Sequence, residues 1–323
     1  MMSKSPESSP STVVHVQVSA ADAGQRLDNF LLRHLKGVPR TRVYRLLRKG
    51  EVRVNKGRAK PDYRVVTGDS VRIPPVSRSE PRQDDRPLPP GLVDLLERSV
   101  LLEDDDLLVI NKPAGLPVHG GSGVALGVIE ALRKMGRGEP FLELAHRLDR
   151  ETSGCLVLAR NRQALLAFHE LLRGGGIDKI YLALLAGRWP GGERRVNAGL
   201  ARNVRRGGIR LVQVDEEEGR DADSLFIPVR RFDQATLMDI RIGTGRTHQI
   251  RVHAAHEGHP VAGDRHYGDF EFNRRLKTLG LRRQFLHARA LHFTLPGSGR
   301  TYAVEAPLEP ELAQVLKRLA SLD

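Results

Sequence analysis

Cysteine is almost missing: Cys155 is the only one in 323 residues. No internal disulfide can form and no multi-thiolate metal site can be built, which fits a reducing compartment. Cys155 lies in the strand-like run CLVLA and reads as a small buried apolar residue. Long apolar runs are missing too. None approaches the ~20 residues of a membrane span, so a soluble protein is expected. The opening MMSKSPESSPST has no apolar segment that could act as a secretory signal, which points to a cytoplasmic chain with a disordered tail over residues 1–20. Neither G-x-G-x-x-G nor G-x-x-x-x-G-K-[ST] occurs. HGGSG at His119 to Gly123 therefore reads as a flexible substrate-facing loop.

Positive charge is what the chain has in excess, a formal net of +13, and it is concentrated. Between Gly24 and Arg72 fourteen Lys and Arg face four Asp and Glu. That segment carries most of the affinity expected for a polyanionic partner. Within it, Leu27, Phe30, Leu31 and Leu35 have the spacing of one buried helical stripe. After a break at Gly37 and Pro39, a second helix turns Val43, Leu46 and Leu47 inward and Arg42, Arg45, Arg48 and Lys49 outward, then stops at Gly50. EVRVN and DSVRI follow as short strands. Residues 21–76 thus form an αα-hairpin with a small sheet. Residues 77–92, with Pro81, Pro87, Pro89 and Pro90, form a linker to a body at 93–323.

That body mixes strand-like runs (SVLLE, DLLVIN, GCLVLA, KIYLALLAG, IRLVQV, ATLMDIRI, TYAVEA) with helix-like ones (VALGVIEALRKM, RQALLAFHELLR, THQIRVHAAHE, PELAQVLKRLA) in no regular βαβ order. An α+β fold on a mixed, mainly antiparallel sheet is expected.

Two polar clusters stand out. In LAHRLDRETSGCLVLAR the residues from His146 to Ser153 run straight into an apolar strand. Asp149 there lies between Arg147 and Arg150, cations that favour a charged, nucleophilic carboxylate, although an isolated R-x-D is better read as a surface ion pair. RIGTGRTHQIRVHAAHEGHP enters a helix after a glycine turn, with Thr247 as the expected N-cap and Arg246 suited to a phosphate or a carboxylate. Its His248, His253, His256 and His259 lack H-E-x-x-H spacing and a carboxylate partner, so no metal site is expected. In KIYLALLAG, Lys179 and Tyr181 share one strand face. They read either as a phosphate contact and a base-stacking ring, or as a snorkelling Lys beside a half-buried Tyr.

These passages resemble the RluA-type pseudouridine synthases. HRLDRETSG is similar to their H-R-L-D-x-x-T-S-G signature and TGRTHQIR to a second motif, with INKPAGLPVHGG, KIYLAL, GDRHYG and FLHARALHFTLP in the same order. The segment from Gly24 resembles an S4 RNA-binding domain. The resemblance implies a pseudouridine synthase fold in which Asp149 is the catalytic aspartate, Arg246 its ionic partner and Tyr181 the aromatic residue against the target base. Arg147 would displace or replace a flipped uridine, and Lys179 and Leu286 would line the pocket. It also implies large-subunit (23S) ribosomal RNA as the partner, met by Arg42, Arg45, Arg48, Lys49 and Arg53, and a monomer needing neither metal nor organic cofactor. Ser224 stands where relatives more often carry Thr, at a position expected to lie away from the catalytic motifs. Two other readings share parts of this pattern: a non-catalytic RNA-binding assembly factor, and a glycosidase or nucleosidase pairing Asp149 with Glu151.

Overall fold

A computed structural model of the chain describes residues 12–20, 22–35, 38, 40–76, 87–120, 126–138, 140–206, 209–215, 217 and 219–322; of residues 40 and 202–210 it describes the backbone alone. The tail to residue 11, the break at Gly37 and Pro39, most of the linker and the glycines of the loop after Gly120 lie outside these. Two compact units are present, Met1–Pro87 and Leu88–Asp323. Among the described residues no helix is long and apolar enough to cross a membrane.

The first unit contains β1 (Val14–Gln17), α1 (Leu27–His34), α2 (Arg40–Lys49), β2 (Arg53–Val54) and β3 (Ser70–Ile73). Its antiparallel sheet has the order β1-β3-β2. The apolar stripes of α1 and α2 are buried, from Leu27, Phe30 and Leu31 to Val43, Leu46 and Leu47, as their spacing requires. Arg45, Arg48, Lys49 and Arg53 are exposed and Arg42 is half-buried. The expected tail needs correction. Val14–Gln17 pairs with β3 and Val18 is buried in the core, because alternating valines from Val14 give this stretch one apolar strand face.

The second unit begins earlier than expected. Leu88 and Leu92 pack against a core that includes Leu96, Leu108 and Leu156, so the former linker residues from 88 belong to it. Its elements are α3 (Leu92–Arg98), β4 (Val100–Glu103), β5 (Leu107–Lys112), α4 (Val128–Leu132), β6 (Glu143–Leu144), β7 (Ser153–Ala159), α5 (Arg162–Gly174), β8 (Asp178–Ala186), β9 (Arg194–Asn197), β10 (Leu200–Arg206), β11 (Ile209–Val214), β12 (Asp223–Arg231), β13 (Ala235–Ile242), α6 (Gln249–His256), α7 (Phe270–Thr278), β14 (Leu286–Thr294), β15 (Thr301–Glu305) and α8 (Pro310–Ala320). Local signals explain their ends: Asn161 caps α5 by accepting from the Ala164 N–H at 2.8 Å, Gly175 closes it in the left-handed region, and α8 starts on a proline.

The main sheet runs β4-β5-β7-β14-β8-β13-β12-β9, with β6 on β7 and β15 on β14, while β10 and β11 form a separate hairpin. All its pairings are antiparallel except β7 with β14. The architecture is the expected mixed, mainly antiparallel one. β14 organises it: β8 covers one edge, and the other is shared by β7 at His287 and Ala288 and by β15 from Ala290 onward. The parallel contact is very close at Gly154, whose φ is 111° and whose missing Cβ would lie 2.2 Å from the Ala288 carbonyl oxygen. Only glycine fits there. Gly154→Ala is therefore expected to cost roughly 3 kcal/mol or more, through strain and overpacking together. Urea unfolding of the second unit would measure it, and an unchanged midpoint would contradict the assignment.

Candidate active site

The loop from His146 to Thr152 joins β6 to β7, and buried polar contacts hold it from three sides. Leu148 anchors it in the core beside Leu156 and Ala288. Beneath it Lys112, at the end of β5, is fully buried and donates to the carbonyls of Pro113, Leu116 and Arg150 at 2.8, 2.8 and 3.1 Å. Gln284 donates to Thr152 Oγ1 at 2.8 Å, and Arg283 to Ser153 Oγ at 3.0 Å, whose hydroxyl also meets His287 Nδ1 at 2.9 Å. His146 accepts the Val157 N–H through Nε2 at 3.0 Å and stacks on Phe168. Burial, aided by the nearby Lys179 charge, pushes this imidazole down to about 4, so the ring is a neutral structural acceptor.

Lys112 makes the stability of this part of the fold sensitive to pH. Burial lowers its ammonium from 10.5 to about 7. Between those values the unfolded chain holds a proton that the folded one has released, so this group's contribution to stability rises with pH from about 7 to 10.5. Lys112→Met is expected to remove that slope and to leave three carbonyls without their donor, each at a cost of about 1–3 kcal/mol. Urea titrations at neutral and alkaline pH would show it; an unchanged pH slope would count against the buried ammonium.

Asp149 projects from this loop into an open cleft. Tyr181, Ile242, Leu148 and Leu286 supply its apolar walls, and Arg147, Arg246, His248 and Arg251 its polar ones. Burial first, then the neighbouring Asp149 charge, raises the Tyr181 phenol, which stays protonated. The cation on the carboxylate is Arg251, from the first turn of α6, with Nη1 at 3.2 Å from Asp149 Oδ2. The other edge of the same guanidinium forks onto Asp264, Nε to Oδ2 at 2.6 Å and Nη2 to Oδ1 at 2.9 Å, and its face covers the Tyr267 ring at 5.0 Å. Asp264 Oδ1 also accepts from the N–H groups of His266 and Tyr267. Burial alone raises the Asp264 carboxyl, but these donors outweigh it and hold it below its ordinary value. His248 Nε2 lies 3.7 Å from Asp149 Oδ2.

Several sequence expectations change here. Arg246 is not the ionic partner of Asp149: it is exposed and donates through Nε to the Asp221 carbonyl at 3.1 Å. The two arginines of TGRTHQIR are five positions apart, one on the turn and one inside α6, and the helical one faces Asp149. Arg147 and Arg150 do not pair with Asp149 either. Arg147 is exposed at the cleft, while Arg150 turns to the Gly115 carbonyl at 2.7 Å. Thr247 is not the N-cap, because α6 starts at Gln249 after His248, which holds φ 56°. The turn is organised instead by buried Gln249, which accepts from Arg246 N–H at 3.0 Å and Thr244 Oγ1 at 2.7 Å and donates to Asp223 O and Ser224 Oγ. Ser224 is thus one hydrogen bond from the second motif, not remote from it.

Lys179 is buried, and its Nζ reaches the Gly243 carbonyl at 3.4 Å, which removes it from the surface where a phosphate would be met. Tyr181 and Leu286 do line the cleft. Three of the four histidines are spread over separate bonds: His248 to Tyr267, His253 to Ser224 and Ala198, His259 to Ala186. Sequence reasoning gives no role to Lys112, Arg251 or Asp264, and weighs His248 only as a metal ligand. The signal for Arg251 was there: α6 is buried continuously from Gln249 to Ala254, so a guanidinium within it needs carboxylates on the facing elements.

The chain that carries this cleft is similar to known proteins. The family model for RNA pseudouridylate synthases matches residues 106–256 and the S4 domain model residues 25–71. The ribosomal large subunit pseudouridine synthase C proteins of Yersinia pestis and Escherichia coli K12 are each 49% identical, over 94% of this chain and 95% and 96% of theirs. Among solved structures, human RNA pseudouridylate synthase domain containing 4 superposes with a TM-score of 0.58 at 28% identity, over 71% of this chain and 95% of that one. The chain belongs to the RluA-type RNA pseudouridine synthases and carries an S4 domain ahead of the synthase domain. It is an isomerase that turns uridine in RNA into pseudouridine.

Proposed function

We propose that this enzyme isomerises particular uridines of large-subunit (23S) ribosomal RNA in the cytoplasm, with Asp149 as its catalytic carboxylate and no cofactor. The observation that carries the reading is the Asp149–Arg251–Asp264 chain at the floor of an open cleft. The relatives named for the ribosomal large subunit support the substrate. The reaction breaks the N1–C1′ bond, turns the base and forms a C5–C1′ bond; the proton lost from C5 is balanced by one gained at N1. No electrons are exchanged with a donor, so no redox group is needed.

A stacked uridine must first leave its helix, at a cost of a few kcal/mol. Phosphate contacts by Arg42, Arg45, Arg48, Lys49 and Arg53, with Arg147 replacing the everted base, offset that cost. The pyrimidine then enters between Tyr181 and the apolar wall of Leu148, Ile242 and Leu286, which brings its glycosidic carbon over Asp149. Arg251 keeps the carboxylate oriented and anionic charge stabilised as the bond breaks.

Incubation with a 23S transcript, followed by carbodiimide treatment and primer extension, should produce new stops at discrete uridines. No new stops would count against 23S RNA as the substrate. Released free uracil would favour a nucleosidase.

A further inference from the structure

His248 has a backbone conformation that non-glycine residues rarely hold, φ 56° and ψ 16°, in the last position before α6. Such strain persists where the surroundings over-determine a side chain. Here they do. The ring packs edge-on against Tyr267 with centroids 5.6 Å apart, Nδ1 lies 2.9 Å from the Tyr267 hydroxyl, and Nε2 faces Asp149 Oδ2. The Tyr267 oxygen also accepts the Val212 N–H of β11 at 2.9 Å. With that N–H already on the oxygen, the one phenolic proton is best directed at Nδ1, which leaves the ring proton on Nε2.

From this chain of donors we infer that His248 and Tyr267 are positioning residues that fix which oxygen of Asp149 reacts. Tyr267 sets the Nε2–H tautomer of His248, and His248 and Arg251 both address Oδ2. Oδ1 has no hydrogen-bond partner among the described residues and is the oxygen presented to the nucleotide. The inference rests on Asp149 as the catalytic carboxylate. Burial lowers the His248 imidazole despite Asp149 beside it, in keeping with a neutral ring that accepts the Tyr267 proton at Nδ1 and turns Nε2 toward Asp149 at 3.7 Å, beyond hydrogen-bond length.

The test joins spectroscopy and kinetics. In the wild-type enzyme with ¹⁵N-labelled histidine, the His248 signals, assigned by their loss in His248→Gln, should show a protonated Nε2 and an unprotonated Nδ1; Tyr267→Phe should mix the tautomers. Tyr267→Phe and His248→Ala should each lower kcat about threefold to tenfold, the worth of one weak polar contact, with KM little changed. His248→Gln, which keeps an N–H donor and a carbonyl acceptor, should recover most of that loss. The double variant Tyr267→Phe/His248→Ala should be no slower than His248→Ala alone. A protonated Nδ1 in the wild type, additive losses in the double variant, or losses confined to KM would overturn the inference. An active Asp149→Asn enzyme would instead remove the reading beneath it, whatever the tautomer.

Discussion

Asp149→Asn and Asp149→Ala should form no measurable pseudouridine while folding normally and binding RNA nearly as well as the wild type. Half of this follows from chemistry: an amide is neither a nucleophile nor a carrier of negative charge, so a route through the base and a route through the sugar both stop. The other half follows from geometry. Among the described residues Asp149 has Arg251 as its hydrogen-bonded cation, and Arg251 keeps its two contacts to buried Asp264 when the Asp149 charge is gone. The site therefore does not collapse. Release of tritium from C5-labelled uridine in a 23S fragment reads turnover, and a filter-binding isotherm reads affinity. Substantial release by either variant would contradict the assignment, and a large loss of affinity would show that Asp149 serves binding.

Arg251 is the position where substitution should cost stability as well as rate. Its guanidinium spans two carboxylates, one partly exposed and one fully buried. Arg251→Met leaves Asp264 charged and without its cation in the interior, a situation that typically costs about 3–5 kcal/mol. Arg251→Lys retains the charge but cannot fork onto Asp264 and reach Asp149 together, so turnover should drop even where folding survives. The pH sign follows from Asp264. Its folded carboxyl lies below the ordinary 3.8, so its stabilisation is complete above that value and is lost as pH falls through the lower folded one. Asp264→Asn should flatten this acid limb. Urea midpoints of the three variants, alongside single-turnover rates, test the argument; an Arg251→Met enzyme as stable as the wild type would refute it.

Local patterns made much of the architecture legible. The helices of the first unit, α5 and α8 announced themselves by periodicity and end signals, and β5, β7, β8 and β13 by dense apolar runs. What escaped was structure whose sequence contradicts its burial. LHARALHFT is interrupted by His and Arg, yet it forms β14, because His287 is hydrogen-bonded to Ser153 and Ala306 and Arg289 ion-pairs with Asp239. DSLFIPVRR contains Pro228 but makes β12, with a register shift between Pro228 and Arg230.

The site followed the same division. Asp149, Tyr181 and Leu286, which line the cleft, each belong to a contiguous motif. The partner of Asp149 was misassigned because choosing between Arg246 and Arg251 depends on where α6 begins, and a side chain at that helix start decides it: Gln249 claims the N–H of Arg246 and ties the turn to Ser224. Lys112 and Asp264 act from below the cleft floor, through contacts that join distant parts of the chain. No local pattern encodes such contacts.

The most direct measurement is a structure of the Asp149→Asn enzyme bound to a 23S fragment that contains a target uridine. An everted uracil is expected between Tyr181 and the Leu148–Ile242–Leu286 wall, with position 149 at a near-attack separation of about 3–3.5 Å from the base or its glycosidic carbon. A target nucleotide still stacked in its helix, or seated away from position 149, would contradict it.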